Sequence, residues 1–232
     1  MEDQCPLRPV WNPVLTFGLA LGISVAGFLA AVPESVTKEY PWARQAVNQG
    51  LIAAVAAGAM AISRRPLAEF GFRRPVPANG RFMLWGLVLG VASTRIVLAF
   101  GLRGMGGHIA AYGLAGIILW FWVISSTVEE VFCRGWFQTL IGGHTRAAVM
   151  WSAALFGAMH LPLLFGDMEI AAAVVIVLSV TALGYVCALA RARTGSLIPA
   201  LAAHVMFNVG GFLGGVIYTI AYRVATGHMP SL

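Results

Sequence analysis

The chain has 232 residues, 59% of them hydrophobic and only 10% charged, with a mean hydropathy of +0.82. Soluble domains carry roughly 25% charged residues, so this composition excludes an ordinary soluble domain, a disordered chain, a solenoid of polar repeats and a disulfide-stapled secreted miniprotein. A net charge of +6 and a pI near 9.8 would suggest nucleic acid in a soluble protein, but between apolar runs the surplus reads as arginine flanking membrane spans, and no nucleic-acid partner is expected.

A membrane span needs about 20 mainly apolar residues. Seven segments approach that length: Asn12–Val32, Ala46–Ile62, Phe82–Phe100, Ile109 to about Leu140, Ala147–Phe165, Ile170–Ala190 and Leu197–Tyr222. The fold class read from them is all-α: one integral membrane domain over residues 1–232, a polytopic transmembrane helical bundle of about seven spans, six to eight. The first run follows Glu2, Asp3 and a single Arg8 and is of full span length, which marks a retained helix rather than a removable signal. The second is the shortest. Ser63–Arg81 follows it, contains Pro66, Pro75 and Pro77, and reads as a polar connector with one short interfacial turn around Leu67–Phe72.

Arg95 sits inside the third span near its outer end, where an arginine is expected to snorkel to the interface. The fourth segment, at roughly 30 residues and ~1.5 Å each, exceeds a ~30 Å hydrocarbon core and should tilt or project. Pro162 is expected to kink the fifth. Gly18/Gly22, Gly86/Gly90, Gly210/Gly214 and Gly211/Gly215 are small-xxx-small pairs that let helices pack closely; they establish no oligomeric state. Cys5, Cys133 and Cys187 are too scattered for a disulfide framework or a metal cluster and read as small buried hydrophobes.

Lysine and arginine sort unevenly on a seven-span chain. Arg8, Arg64, Arg65, Arg73, Arg74, Arg81, Arg134, Arg146, Arg191 and Arg193 fall on one side, and Lys38, Arg44, Arg103 and Arg223 on the other. The positive-inside rule then puts the N-terminus in the cytoplasm and the C-terminus outside.

An ionisable side chain in mid-span costs about 2.5–3.5 kcal/mol when acidic and so needs a partner, a cavity or a purpose. Three places qualify: Glu129-Glu130-Val131-Phe132-Cys133-Arg134, Phe156-Gly157-Ala158-Met159-His160, and His204-Val205-Met206-Phe207-Asn208. At the helical rise, Glu130, His204 and His160 lie roughly 15, 12 and 20 Å from the span ends on one side, near enough for a single cavity opening toward the cytoplasm. Glu130 and Arg134 are i,i+4 with the acid first, the favourable order. Glu129, about 100° around the helix, is then left to face a reactant, and crowding of two carboxyls in a low dielectric suits it to general-base work. His204 and Asn208 are again i,i+4, a donor pair suited to an oxyanion. Ser125, Ser126 and Thr127, a turn earlier, are expected to pack or back-bond within the helix.

Glu-Glu-x-x-x-Arg, then Phe-x-x-x-His, then His-x-x-x-Asn on successive membrane helices resembles the CPBP family, the CAAX proteases and bacteriocin-processing enzymes also called the Abi family. The resemblance covers residues 127–211, including Thr194-Gly195-Ser196-Leu197-Ile198-Pro199. It implies an intramembrane endopeptidase of the glutamic type in which Glu129 and His160 activate a water, His204 and Asn208 hold the oxyanion, and Glu130, Arg134 and Phe156 support the site. It also implies a membrane-associated peptide or protein as substrate, of which a prenylated CAAX tail is one class, and it requires no cofactor.

Two other readings remain open on the sequence. A zinc peptidase could use Glu129 or Glu130 with His160 and His204 as a His2Glu set, although there is no HExxH and the neighbour of His204 is an amide. A non-enzymatic transporter, immunity protein or peptide-binding scaffold would use the same Glu and His residues as proton relays or contacts, but no inverted repeat accompanies them.

Overall fold

The computed structural model describes residues 12–29, 33–40, 43–74, 80–99, 116, 118–165 and 169–228. Every regular element among them is helical, so the fold is all-α. α1 (Pro13–Phe28) starts where Asn12 accepts backbone N–H groups from Val14 and Leu15 and Pro13 opens the first turn. The short α2 (Glu34–Glu39) leads to α3 (Ala43–Ser63), and α4 (Gly80–Ala99) follows. The continuous helix 118–140, called α5, alternates π-helical and α-helical turns: Ile118–Ser125 and Val131–Phe137 are π, Ser126–Glu130 and Gln138–Leu140 are α. α6 (Arg146–Ala158), α7 (Ile170–Thr194) and α8 (Ile198–Thr226) complete the bundle.

Among the described residues five helices are long and apolar enough to cross a membrane: Gln45–Ser63, Gly80–Leu98, Arg146–Phe165, Ile170–Thr194 and Ile198–Thr226; Pro13–Gly27 is a shorter apolar helix. Of the seven expected segments, parts of the first, third and fourth (residues 30–32, 100, 109–115 and 117) lie outside the described residues, as do Cys5 and the flanking residues Arg8 and Arg103. The fifth segment divides. Its α-helix ends at Ala158, and a separate 3-10 turn, Leu161–Phe165, carries Pro162. The expected kink is therefore a helix end, and it leaves His160 in the turn between the two pieces.

Two of the small-residue pairs make one interface. A Cβ at Gly86 would collide with the carbonyl oxygen of Ala203, one at Gly90 with that of Phe207, and one at Gly210 with that of Leu87. α4 and α8 thus touch backbone to backbone, which only glycine permits. By contrast, a Cβ at Gly18 or Gly22 meets nothing within 4 Å. Gly86→Val is expected to lower stability by at least about 1–3 kcal/mol, because a backbone oxygen cannot repack around the added atoms. Gly18→Val is the matched control. The check is the thermal unfolding midpoint of each protein in detergent, and an unshifted Gly86→Val midpoint would contradict the backbone contact.

The connector after α3 is not a solvated linker. Its 3-10 turn, Leu67–Phe70, matches the expected interfacial turn, but Phe70 is fully buried. Glu69 O accepts from Arg191 Nη2 at 2.6 Å, Gly71 O from Leu197 N at 3.0 Å, and Arg73 Nε donates to Gly195 O at 2.7 Å. Ser196 Oγ donates back to Arg73 O at 2.7 Å. The segment is therefore a plug on the α7–α8 loop. Gly195 adopts φ +68° there, and the Arg73 guanidinium occupies the space a Cβ would take. Arg191, expected as a solvated flanking arginine, is instead 2% exposed and bonded to this plug. Arg95 is exposed on α4.

Candidate active site

The paired carboxylates stand on the single α-turn of α5 between its two π segments, Ser126–Glu130. π-turns widen a helix and occur often at functional sites; here both carboxylates are buried, Glu129 at 9% exposure and Glu130 at 1%. Their environments differ. Glu130 Oε1 accepts from Arg134 Nη1 at 3.1 Å and from His204 Nδ1 at 2.9 Å. A carboxylate accepts only, so His204 must carry its proton on Nδ1. Arg134, fully buried, spends Nη2 on the carbonyl of Gly184 in α7 at 2.9 Å. Its guanidinium carbon lies 4.4 Å from the Phe156 ring centroid, a cation–π distance.

Phe156 joins the three motifs. Its ring stands edge-on to His204, with centroids 5.4 Å apart and planes at 87°, and 5.1 Å from the His160 ring. The aromatic position of Phe-x-x-x-His is thus the wall against which Arg134 and both imidazoles lie. His160 Nδ1 is 2.8 Å from the carbonyl of Phe156. That oxygen also only accepts, so Nδ1 holds the proton, and a neutral His160 has a lone pair on Nε2.

Glu129 points elsewhere. Its Oε1 accepts from Ser125 Oγ at 2.7 Å and from Gln49 Nε2 at 2.9 Å, while Oε2 lies 3.8 Å from His204 Nε2. That last gap is too long for a direct hydrogen bond and short enough for one atom of a reactant to engage both groups. Asn208, one turn beyond His204 on α8, donates from Nδ2 to Ser126 Oγ at 3.1 Å.

The structure therefore brings Glu129, Glu130, Arg134, Phe156 and His204 into one buried cluster, with His160 half-buried beside Phe156 and Asn208 on its Ser126 edge. Three features go beyond the sequence reading. Ser125, expected to pack or back-bond, donates to Glu129. Gln49, unmentioned by any motif, reaches the same oxygen from α3. His204 Nδ1 is held by Glu130, which leaves its Nε2 facing Glu129 Oε2. A polar residue on the buried stripe of α3 was the available signal for Gln49, and none existed for the π-turns. Cys133 and Cys187 are buried as small hydrophobes. Among the described residues no group of three or more His, Cys, Asp or Glu side chains is arranged to hold a metal ion.

No curated protein and no solved structure matches the chain. Residues 111–210 match the family described as Rce1-like, type II CAAX prenyl endopeptidase, a stretch that holds both carboxylates, Arg134, Phe156, His160, His204 and Asn208. Through this region, with its ordered motifs on membrane-type helices, the chain is similar to the CPBP family of CAAX-type intramembrane endopeptidases.

Proposed function

We propose that the protein hydrolyses a peptide bond in a membrane-held peptide by a glutamic mechanism, with Glu129 as the base. The observation that carries this is the division of labour between adjacent carboxylates: Glu130 is occupied by Arg134 and His204, while Glu129 keeps Oε2 open at 3.8 Å from His204 Nε2. In this reading Glu129 Oε2 takes a proton from water, with the Nε2 lone pair of His160 orienting it. The hydroxide oxygen bonds to the scissile carbonyl carbon, and the carbonyl oxygen becomes the oxyanion. As an imidazolium, His204 gives Nδ1–H to Glu130 and has Nε2–H for that oxyanion, with Asn208 supplying a second donor. The C–N bond then breaks as Glu129 returns its proton to the leaving nitrogen, releasing an amine and a carboxylic acid. No covalent enzyme intermediate is required.

The substrate class follows from the family and the site's surroundings. A buried site among apolar helices suits a peptide anchored by lipid, and the family description names prenylated CAAX tails. A site opening toward the cytoplasm is part of this proposal, supported by the flanking basic residues, which favour that side. Arg134 leaves that tally, since it is buried at the site, and the remaining residues keep the same sense. The test compares host membrane peptides from cells carrying wild-type or Glu129→Gln protein by mass spectrometry. A new C-terminus confined to wild type, adjacent to a prenylated or membrane-inserted segment, is expected; identical peptide sets would remove the proposal.

A further inference from the structure

The region that matches the family begins at residue 111, yet one side chain from well before it touches the proposed base. Gln49 lies on the face of α3 that also buries Ile52, Ala56 and Met60, and it is itself only 5% exposed. A polar residue on a core stripe in a membrane bundle needs a partner, and Gln49 has two. Its Nε2 donates to Glu129 Oε1 and to Ser125 Oγ, both at 2.9 Å, while Ser125 Oγ donates to the same Glu129 oxygen at 2.7 Å. The directions are fixed by chemistry. The carboxylate only accepts, so the hydroxyl spends its one proton there and accepts from the amide.

The three groups form a closed triangle around one carboxylate oxygen. Two donors on Oε1 arrest rotation of the Glu129 carboxyl and hold Oε2 toward His204 Nε2. Ser125 belongs to the same helix as Glu129 and moves with it; Gln49 comes from another helix and fixes the carboxylate to the bundle. The opposite atom of the amide, Gln49 Oε1, is buried and has no hydrogen-bond partner among the described residues. A residue kept for packing would not carry that cost, which a methionine of similar length would avoid. The two donated bonds are what the amide supplies in return.

We propose that Gln49 is a positioning residue that acts through Glu129, holding the carboxylate with Oε2 presented to the reactant. This rests on the assignment of Glu129 as the base. The role predicts an effect on turnover rather than on substrate binding, because Gln49 holds the carboxylate by the oxygen turned away from the reactant.

The test uses the full-length protein in liposomes with a farnesylated CAAX peptide or, where wild type leaves that uncut, the peptide identified by its new terminus in host membranes. Gln49→Met is expected to lower kcat about 10- to 100-fold with KM changed less than twofold. Ser125→Ala, which leaves Gln49 in place, should cost less. The double variant should lose more than the product of the two, since Oε1 then has no donor. Should Gln49→Met fail to fold, Gln49→Asn keeps the amide a methylene short of Glu129 and is read in the same way. A kcat within threefold of wild type, or a fall in kcat matched by a rise in KM, overturns the positioning role if Glu129→Gln is inactive, and leaves Glu129 as the base. Cleavage by Glu129→Gln itself overturns both.

Discussion

Glu129→Gln protein is expected to fold, to keep its place in the bundle and to cleave about 10²- to 10⁴-fold more slowly than wild type, the range a positioned general base contributes. Glutamine fills the same volume, and its amide orientation is dictated by neighbours already present. Ser125 Oγ and Gln49 Nε2 both donate to the position of Oε1, so the amide oxygen must sit there and its NH2 must face His204 Nε2. The substitution then has two consequences. It removes the only group able to take the water's proton at Oε2. It also offers His204 a donor where a carboxylate stood, which favours a bare Nε2 lone pair and takes away the N–H needed for the oxyanion. Cys133→Ala is the control, since that thiol faces Met159 Sδ. The measurement is single-turnover cleavage of a membrane-reconstituted substrate, with unfolding monitored in parallel. Undiminished cleavage by folded Glu129→Gln protein would end the glutamic reading.

How much of this was legible without coordinates depends on whether the determining contact is local. The Glu130–Arg134 bond follows from helical spacing and was readable as i,i+4, because even a π-turn starting at Val131 leaves the two side chains within reach. The glycine pairs on α4 and α8 were readable as close-packing surfaces, but not as one another's partners. Gly18/Gly22 carries the same pattern, yet a Cβ at either would meet no described atom within 4 Å. The connector's docking was hidden because nothing in the sequence pairs Arg73 or Arg191 with a partner. Their carbonyl partners lie 122 residues away in each case. His204 was read as half of a donor pair with Asn208 from spacing alone. Spacing carries no information about Glu130, 74 residues distant, which captures its Nδ1. Ser125 was assigned to its own helix, and its bond is indeed local, but the acceptor is a side chain rather than the backbone. Composition and pattern thus located the chemistry, while the partner of each polar group was decided by helices that come together only on folding.

Arg134→Met should be the most damaging substitution for stability in the chain, at about 3–5 kcal/mol, because removing one member of a buried ion pair strands the other. Glu130 would be left 1% exposed without the guanidinium that balances its charge. Gly184 would lose the donor to its carbonyl, and Phe156 the cation over its face. For a protein of this size the loss corresponds to a fall of roughly 6–20 °C in thermal midpoint, measurable in detergent. The Glu130→Leu/Arg134→Met double variant separates charge from packing. With no buried charge left to strand, an apolar pair of similar volume is expected to recover most of the lost midpoint. Activity should nevertheless stay absent, because Glu130 is what fixes the proton of His204 on Nδ1 and turns Nε2 toward Glu129. A double variant as unstable as Arg134→Met would show that packing around the guanidinium, not the stranded carboxylate, carries the cost. A stable and active one would remove Glu130 from the orientation of His204. The stable but inactive outcome is the one this arrangement requires: the ion pair is kept for the geometry of the imidazole it holds, at a stability no better than hydrophobic residues would give.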